Sequence, residues 1–167
     1  RGQVIVTIGI KPTSPETGYG YIRHEIVELP PPAGGKRLRT ACYKAERFVE
    51  KPPLEKAVEY VSAGNYRWNA GMFVWSFETI ANALEKHVPE MWTACDRWFK
   101  AACKSPATLV KILANEYPEI RKVSIDYALM EKAHNVVVAD GDFAWDDLGA
   151  WPALSRHLKP DADDNAV

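Results

Sequence analysis

The chain is poor in cysteine, with only Cys42, Cys95 and Cys103 and no Cys-x-x-Cys pair. An odd, sparse set of this kind argues against a disulfide framework and against a zinc site. A reducing cytoplasm is the simplest compartment for it. No run of about 18 apolar residues is present, so no helix is expected to span a membrane. Charge of one sign is not in excess either: 21 Lys and Arg face 22 Asp and Glu, a net charge of −1. The basic surplus that holds nucleic acid by phosphate neutralisation is therefore missing. The opening Arg1-Gly2-Gln3 leads straight into the apolar run Val4-Ile5-Val6-Thr7-Ile8, so this stretch is not expected to be a signal peptide. Gly-x-Ser-x-Gly, Walker A and Gly-x-Gly-x-x-Gly patterns do not occur, and His24, His87, His134 and His157 show no metal-ligand spacing. There is no internal repeat.

What is present is a globular composition, 47% apolar and 26% charged over 167 residues, enough for one domain. Residues 1–158 read as the folded portion and 159–167 as a polar tail that frays. Val4 to Ile10 is a β-branched run that predicts a buried strand. Tyr19 to Val27, Cys42 to Val49, Trp68 to Trp75 and Val136 to Ala139 predict further strands. Leu54, Ala57, Val58 and Val61 lie at helical spacing between Pro52-Pro53 and Gly64, the expected start and stop. Ser76 is placed to cap a helix with Phe77, Ile80, Ala81 and Leu84 inward. After Pro89 the spacing of Met91, Cys95, Trp98, Ala102 and Cys103 predicts a helix with that stripe in the core. Thr108 to Leu113 and Pro152 to Leu158 predict short helices, and Ser124 caps one running through Ala133. Strands and helices alternate, so the class is α/β.

Four clusters carry more chemistry than packing needs. In Pro15-Glu16-Thr17-Gly18-Tyr19-Gly20-Tyr21 two glycines flank a tyrosine, which suits close backbone approach to a ligand; taken alone, a tight turn into a strand is the plainer explanation. In Phe48-Val49-Glu50-Lys51-Pro52 a hydrogen-bond acceptor and a cation sit together between a strand and a helix, suited to sugar hydroxyls and a phosphate; a solvated charge pair before the helix explains it equally. In Trp68-Asn69-Ala70-Gly71-Met72-Phe73 a polar Asn inside an apolar strand needs a partner, backbone or ligand. In Phe143-Ala144-Trp145-Asp146-Asp147-Leu148-Gly149-Ala150-Trp151 paired aspartates suit a hard cation such as Mg²⁺, a helix cap, or one of each.

Taken in order, these stretches resemble the mannose-1-phosphate guanylyltransferase family, also called GDP-mannose pyrophosphorylases. Thr7-Ile8-Gly9-Ile10-Lys11-Pro12 and Ser124-Ile125-Asp126-Tyr127-Ala128-Leu129-Met130-Glu131-Lys132 join them, so the resemblance runs from Val4 to Leu158. It implies a partial Rossmann-like nucleotidyltransferase fold, a mixed sheet flanked by helices. It implies a sugar-phosphate pocket built by Gly18, Tyr19, Gly20, Glu50, Lys51, Asn69 and Gly71, with Asp126 at a further substrate position. Glu50 and Asn69 would hold mannose hydroxyls, and Lys51 would face the phosphate. Asp147 would bind Mg²⁺ and, with Lys51, serve catalysis.

The implied reaction transfers GMP from GTP to mannose 1-phosphate in line, releasing pyrophosphate, with no covalent enzyme intermediate. The resemblance also implies a cytoplasmic enzyme that feeds polysaccharide synthesis. The family's Gly-rich loop with its Arg, a second metal-binding aspartate and the guanine-reading residues have no counterpart here. The expectation is therefore the C-terminal part of a catalytic domain, with an unpaired sheet edge that drives homodimerisation or pairing with a missing N-terminal segment, or else leaves the chain marginally stable. The alternatives are a nucleotidyltransferase for another hexose 1-phosphate using UTP or dTTP, and a non-catalytic sugar-phosphate-binding or regulatory subunit.

Overall fold

The computed structural model describes residues 3–31, 40–149, 153, 157 and 158. The predicted final helix and the polar tail lie almost wholly outside them. Within them the order is β1 (Ile5–Ile10), β2 (Tyr21–Glu28), β3 (Cys42–Val49), α1 (Leu54–Ala63), β4 (Tyr66–Val74), α2 (Phe77–His87), α3 (Pro89–Lys104), α4 (Pro106–Glu116) and β5 (Val136–Asp140). A 3₁₀ turn spans Tyr117–Glu119 and a π turn spans Asp126–Met130. Every predicted strand is present within a few residues of its expected ends.

The sheet departs from the expectation of an open, Rossmann-like layer. Its strands close into a barrel in the order β1-β4-β2-β3-β5. Only β1 and β5 run parallel; the other four pairings are antiparallel. The class is α/β and the sheet is mixed, as expected, but among the described residues no sheet edge is left unpaired, because each strand has two neighbours. The short pairing of β3 with β5, Cys42 to Ala139 through Lys44 to Val137, makes the closure.

Three apolar clusters hold the fold. Ile5, Ile22, Phe48, Met130, Val136 and Val138 join the strands to the π turn. Ile10, Tyr21, Ala57 and Trp68 dock α1 on the sheet. Ala83, Val88, Ala128 and Leu129 dock α2 on the π turn. The adjacent Tyr21 and Ile22 are both fully buried, so the start of β2 is covered on both faces.

Local chemistry explains most boundaries. Ser76 accepts the Thr79 N–H at 3.1 Å and caps α2. Pro89 opens α3 just after α2 ends at His87, since the first turn of a helix needs no N–H there. Gly64 ends α1 at φ 76°, and a Cβ there would meet nothing within 4 Å. Gly64→Ala is therefore expected to cost only backbone strain, about 1 kcal/mol, read as a lower denaturant midpoint at unchanged slope.

The helix faces are less well anticipated. α3 buries Ala94 and Ala101, not the predicted stripe: Cys95, Ala102 and Cys103 are exposed. Met91 of that stripe does pack against the Ala83, Val88, Ala128 and Leu129 cluster, while Met91, Cys95 and Trp98 line an open groove of about 660 Å³ with Tyr117 and Ile120. Phe77, predicted inward, is 83% exposed, and Leu54 and Val58 of α1 also face out. The helix predicted from Ser124 is a π turn preceded by one helical residue, Ile125. None of the described helices is long and apolar enough to cross a membrane.

Candidate active site

The antiparallel pairing of β2 with both β3 and β4 sets the site. Tyr21, the first residue of β2, lies opposite Val49 at the end of β3 and opposite Trp68 within β4. The segments just outside these positions must therefore meet. Asn69 N–H donates to the Gly20 carbonyl at 2.8 Å, and Lys51 N–H donates to the Tyr19 carbonyl at 3.2 Å. Gly18-Tyr19-Gly20, Glu50-Lys51 and Asn69-Ala70-Gly71 are thereby wired together through backbone.

Asp126, from the π turn, and Trp145-Asp146-Asp147, after β5, complete the wall of a cavity of about 250 Å³. All nine residues singled out in the sequence line it: Gly18, Tyr19, Gly20, Glu50, Lys51, Asn69, Gly71, Asp126 and Asp147. Ala70, Trp145 and Asp146 line it as well. These three had not been marked as site residues, although each lies inside a marked motif.

Two backbone irregularities build the wall. β4 pairs with β1 through Phe73–Thr7 and then Asn69–Gly9, so β4 carries two extra residues between these pairs. This bulge holds Gly71 at φ 70°, a conformation that glycine adopts without strain. Lys51 stands at φ 48°, an uncommon conformation for a residue with a Cβ, and it does so on the cavity wall.

The electrostatics are dominated by carboxylates. Among the described residues, Glu50, Asp126, Asp146 and Asp147 share the wall with a single cation, Lys51. The Lys51 Nζ lies 3.8 Å from Glu50 Oε1. Burial raises the Glu50 pKa, the Asp126 charge raises it further, and Lys51 partly offsets both. Asn69 bridges the walls: its Nδ2 donates to Asp126 Oδ1 at 3.3 Å, and its Oδ1 accepts from the Gly71 N–H at 3.3 Å.

The two aspartates of the Trp-Asp-Asp-Leu segment have different surroundings. Asp146 accepts from the Tyr19 hydroxyl at 3.4 Å through Oδ1 and pairs with His157 Nε2 at 2.8 Å through Oδ2. It steadies Tyr19, whose ring meets Trp68 and Trp145 edge-on at centroid distances of 5.1 and 5.3 Å. Asp147 is exposed, and its carboxylate lies beside Gly149, where a Cβ would come within 3.3 Å of Oδ2. Among the described residues no cluster of three or more His, Cys, Asp or Glu forms a cage for a metal ion. A single exposed carboxylate beside a cavity nonetheless fits Mg²⁺, which keeps several waters and is bound through one or two carboxylates plus substrate phosphate.

Comparison with known proteins places this geometry in context. Residues 1–163 match the family described as nucleotidyl transferase. A mannose-1-phosphate guanylyltransferase of Sinorhizobium fredii is 38% identical over 98% of this chain and 30% of its own length. The xanthan biosynthesis protein XanB of Xanthomonas campestris is 38% identical over 97% of this chain and 32% of its own. A solved structure from Thermus thermophilus, named mannose-1-phosphate geranyltransferase, superposes with a TM-score of 0.72 at 39% identity. It covers 93% of this chain and 40% of its own. The chain thus spans about a third of the length of the curated relatives it matches.

Proposed function

Because this chain belongs to the nucleotidyl transferase family, we propose that its cavity is the sugar-phosphate half of a mannose-1-phosphate guanylyltransferase site. The observation that carries the reading is convergence. Residues from five separated stretches, Gly18 through Asp147, meet around one small polar cavity. The names of the relatives supply the sugar and the nucleotide. On this reading the barrel is one part of a larger nucleotidyltransferase domain whose Rossmann-like layer is not among the described residues. The TM-score of 0.72 over 93% of the chain supports that relation.

The wall residues suit the roles. Glu50 and the Asn69–Asp126 pair offer acceptors and a donor to ring hydroxyls. Lys51 meets the phosphate as a point charge. The Tyr19 ring, held between two tryptophans, gives an apolar face on which the sugar packs. The reaction joins a phosphate oxygen of mannose 1-phosphate to the α-phosphorus of GTP. The bond from that phosphorus to the β-bridging oxygen breaks, and pyrophosphate leaves with the electron pair. Asp147 would hold Mg²⁺, which when bound supplies neutralisation of phosphate charge. The chain's own part is to fix the sugar phosphate in line and to exclude other poses.

The test is formation of GDP-mannose and pyrophosphate from GTP and mannose 1-phosphate by the whole protein. Asp147→Asn is expected to lower kcat by about 100-fold, the usual cost of removing a group that stabilises developing charge. Asp146→Asn, which loosens Tyr19, is expected to act mainly on KM for mannose 1-phosphate. Absence of GDP-mannose, or equal kcat losses in both variants, contradicts the proposal.

A further inference from the structure

We infer that Thr7 is a positioning residue for sugar recognition: its hydroxyl staples the β4 bulge and fixes the Asn69 amide in the orientation the cavity needs. The inference rests on the reading that the cavity takes a sugar phosphate. Thr7 lies in β1 opposite the bulge, in the pairing Thr7–Phe73, and is fully buried. A buried hydroxyl is costly unless it is hydrogen-bonded. Thr7 Oγ1 donates to Asn69 Oδ1 at 2.9 Å and lies 3.3 Å from the Met72 carbonyl. These two acceptors bracket the bulge, so one hydroxyl spans it.

The same contact settles which way the amide points. The Thr7 hydroxyl and the Gly71 N–H converge on one Asn69 atom, which is therefore the oxygen, while Nδ2 turns to Asp126 Oδ1. A flipped amide would set Nδ2 against the Gly71 N–H and the oxygen against the Asp126 carboxylate, donor on donor and acceptor on acceptor. With the observed orientation, one Asn69 N–H and one Asp126 oxygen have no hydrogen-bond partner among the described residues. A donor and an acceptor thus stand side by side on residues of the cavity wall. Two neighbouring ring hydroxyls of a pyranose, each able to give and to take a hydrogen bond, match such a pair.

Thr7→Val keeps the shape and removes the hydroxyl; Thr7→Ser keeps the hydroxyl and removes the methyl. Calorimetric titration of the 167-residue chain with mannose 1-phosphate is paired with NMR of the Asn69 carboxamide. Loss of one buried hydrogen bond predicts about tenfold weaker binding for Thr7→Val and, for Thr7→Ser, a value within about threefold of the wild type. The Asn69 carboxamide hydrogens are expected to shift and to exchange faster with water in Thr7→Val alone. Unchanged affinity and unchanged Asn69 signals in Thr7→Val overturn the inference. If the wild type binds no mannose 1-phosphate, the sugar-phosphate reading fails, and the Asn69 signals still decide what Thr7 does. If Thr7→Val does not melt cooperatively, the wild-type carboxamide decides: protected hydrogens support the staple and freely exchanging ones overturn it.

Discussion

Gly20→Ala is expected to abolish sugar-phosphate binding while leaving a folded chain. Gly20 is buried at the entrance to β2, and its carbonyl takes the Asn69 N–H. A Cβ at this position would stand 2.5 Å from Glu50 Oε2, 3.1 Å from the Phe48 ring and 3.4 Å from Asn69 Cβ. The nearest atom is the end of a side chain, so Glu50 yields before the backbone does. Its carboxylate then leaves the place from which it meets a sugar hydroxyl. Overpacking of this kind costs about 1–3 kcal/mol of stability. A displacement of about 1 Å at a recognition group costs on the order of 100-fold in function. Calorimetry with mannose 1-phosphate beside a thermal melt checks both halves. A variant that binds as tightly as the wild type would show that Glu50 is not where recognition happens.

Glu50→Gln is expected to stabilise the protein and to weaken sugar-phosphate binding. Burial and the neighbouring Asp126 charge raise the Glu50 pKa in the folded protein. The native state therefore holds this proton at pH values where the unfolded chain has released it. Stability accordingly falls as pH rises from the ordinary carboxylate range through the raised folded value, and the penalty is complete above that value. Glutamine removes the ionisation. The variant should melt at a higher temperature than the wild type at neutral pH, and the gap should close in acid below the ordinary carboxylate range. Losing hydrogen bonds to a charged acceptor should weaken mannose 1-phosphate binding by about 10- to 100-fold. A neutral-pH melting point at or below that of the wild type would contradict the electrostatic account of the site. The opposed signs of the two effects are what a site tuned for ligand at the expense of stability predicts.

The cavity was more legible in the sequence than the sheet was. Gly18, Glu50, Asn69, Asp126 and Asp147 lie far apart in the chain, and no local rule brings them together. The motif resemblance did so, because each stretch carries residues that packing does not require. Asp146 could not be separated from Asp147 by sequence, since both are aspartates in one segment. Only the contacts with Tyr19 and His157 assign Asp146 to holding the wall.

Barrel closure was hidden for a different reason. The apolar run Val136 to Val138 reads as a buried strand whether its neighbours are parallel or antiparallel, and it has one of each, β1 and β3. The stripe on α3 failed because helical spacing identifies an apolar face without saying what covers it. The small residues Ala94 and Ala101 are the ones buried, while the larger Met91 and Trp98 line the groove. Thr7 gave no signal of its own. A threonine in a β-branched strand is ordinary, and its part becomes visible only beside the bulge it spans.

The most direct test of the account is titration of the chain with mannose 1-phosphate and, separately, with GTP, both in Mg²⁺. The account predicts a saturable heat with mannose 1-phosphate that Gly20→Ala removes, and none with GTP. Binding of GTP at the cavity lined by Glu50, Lys51 and Asn69, or no binding of mannose 1-phosphate by a cooperatively melting chain, would contradict it.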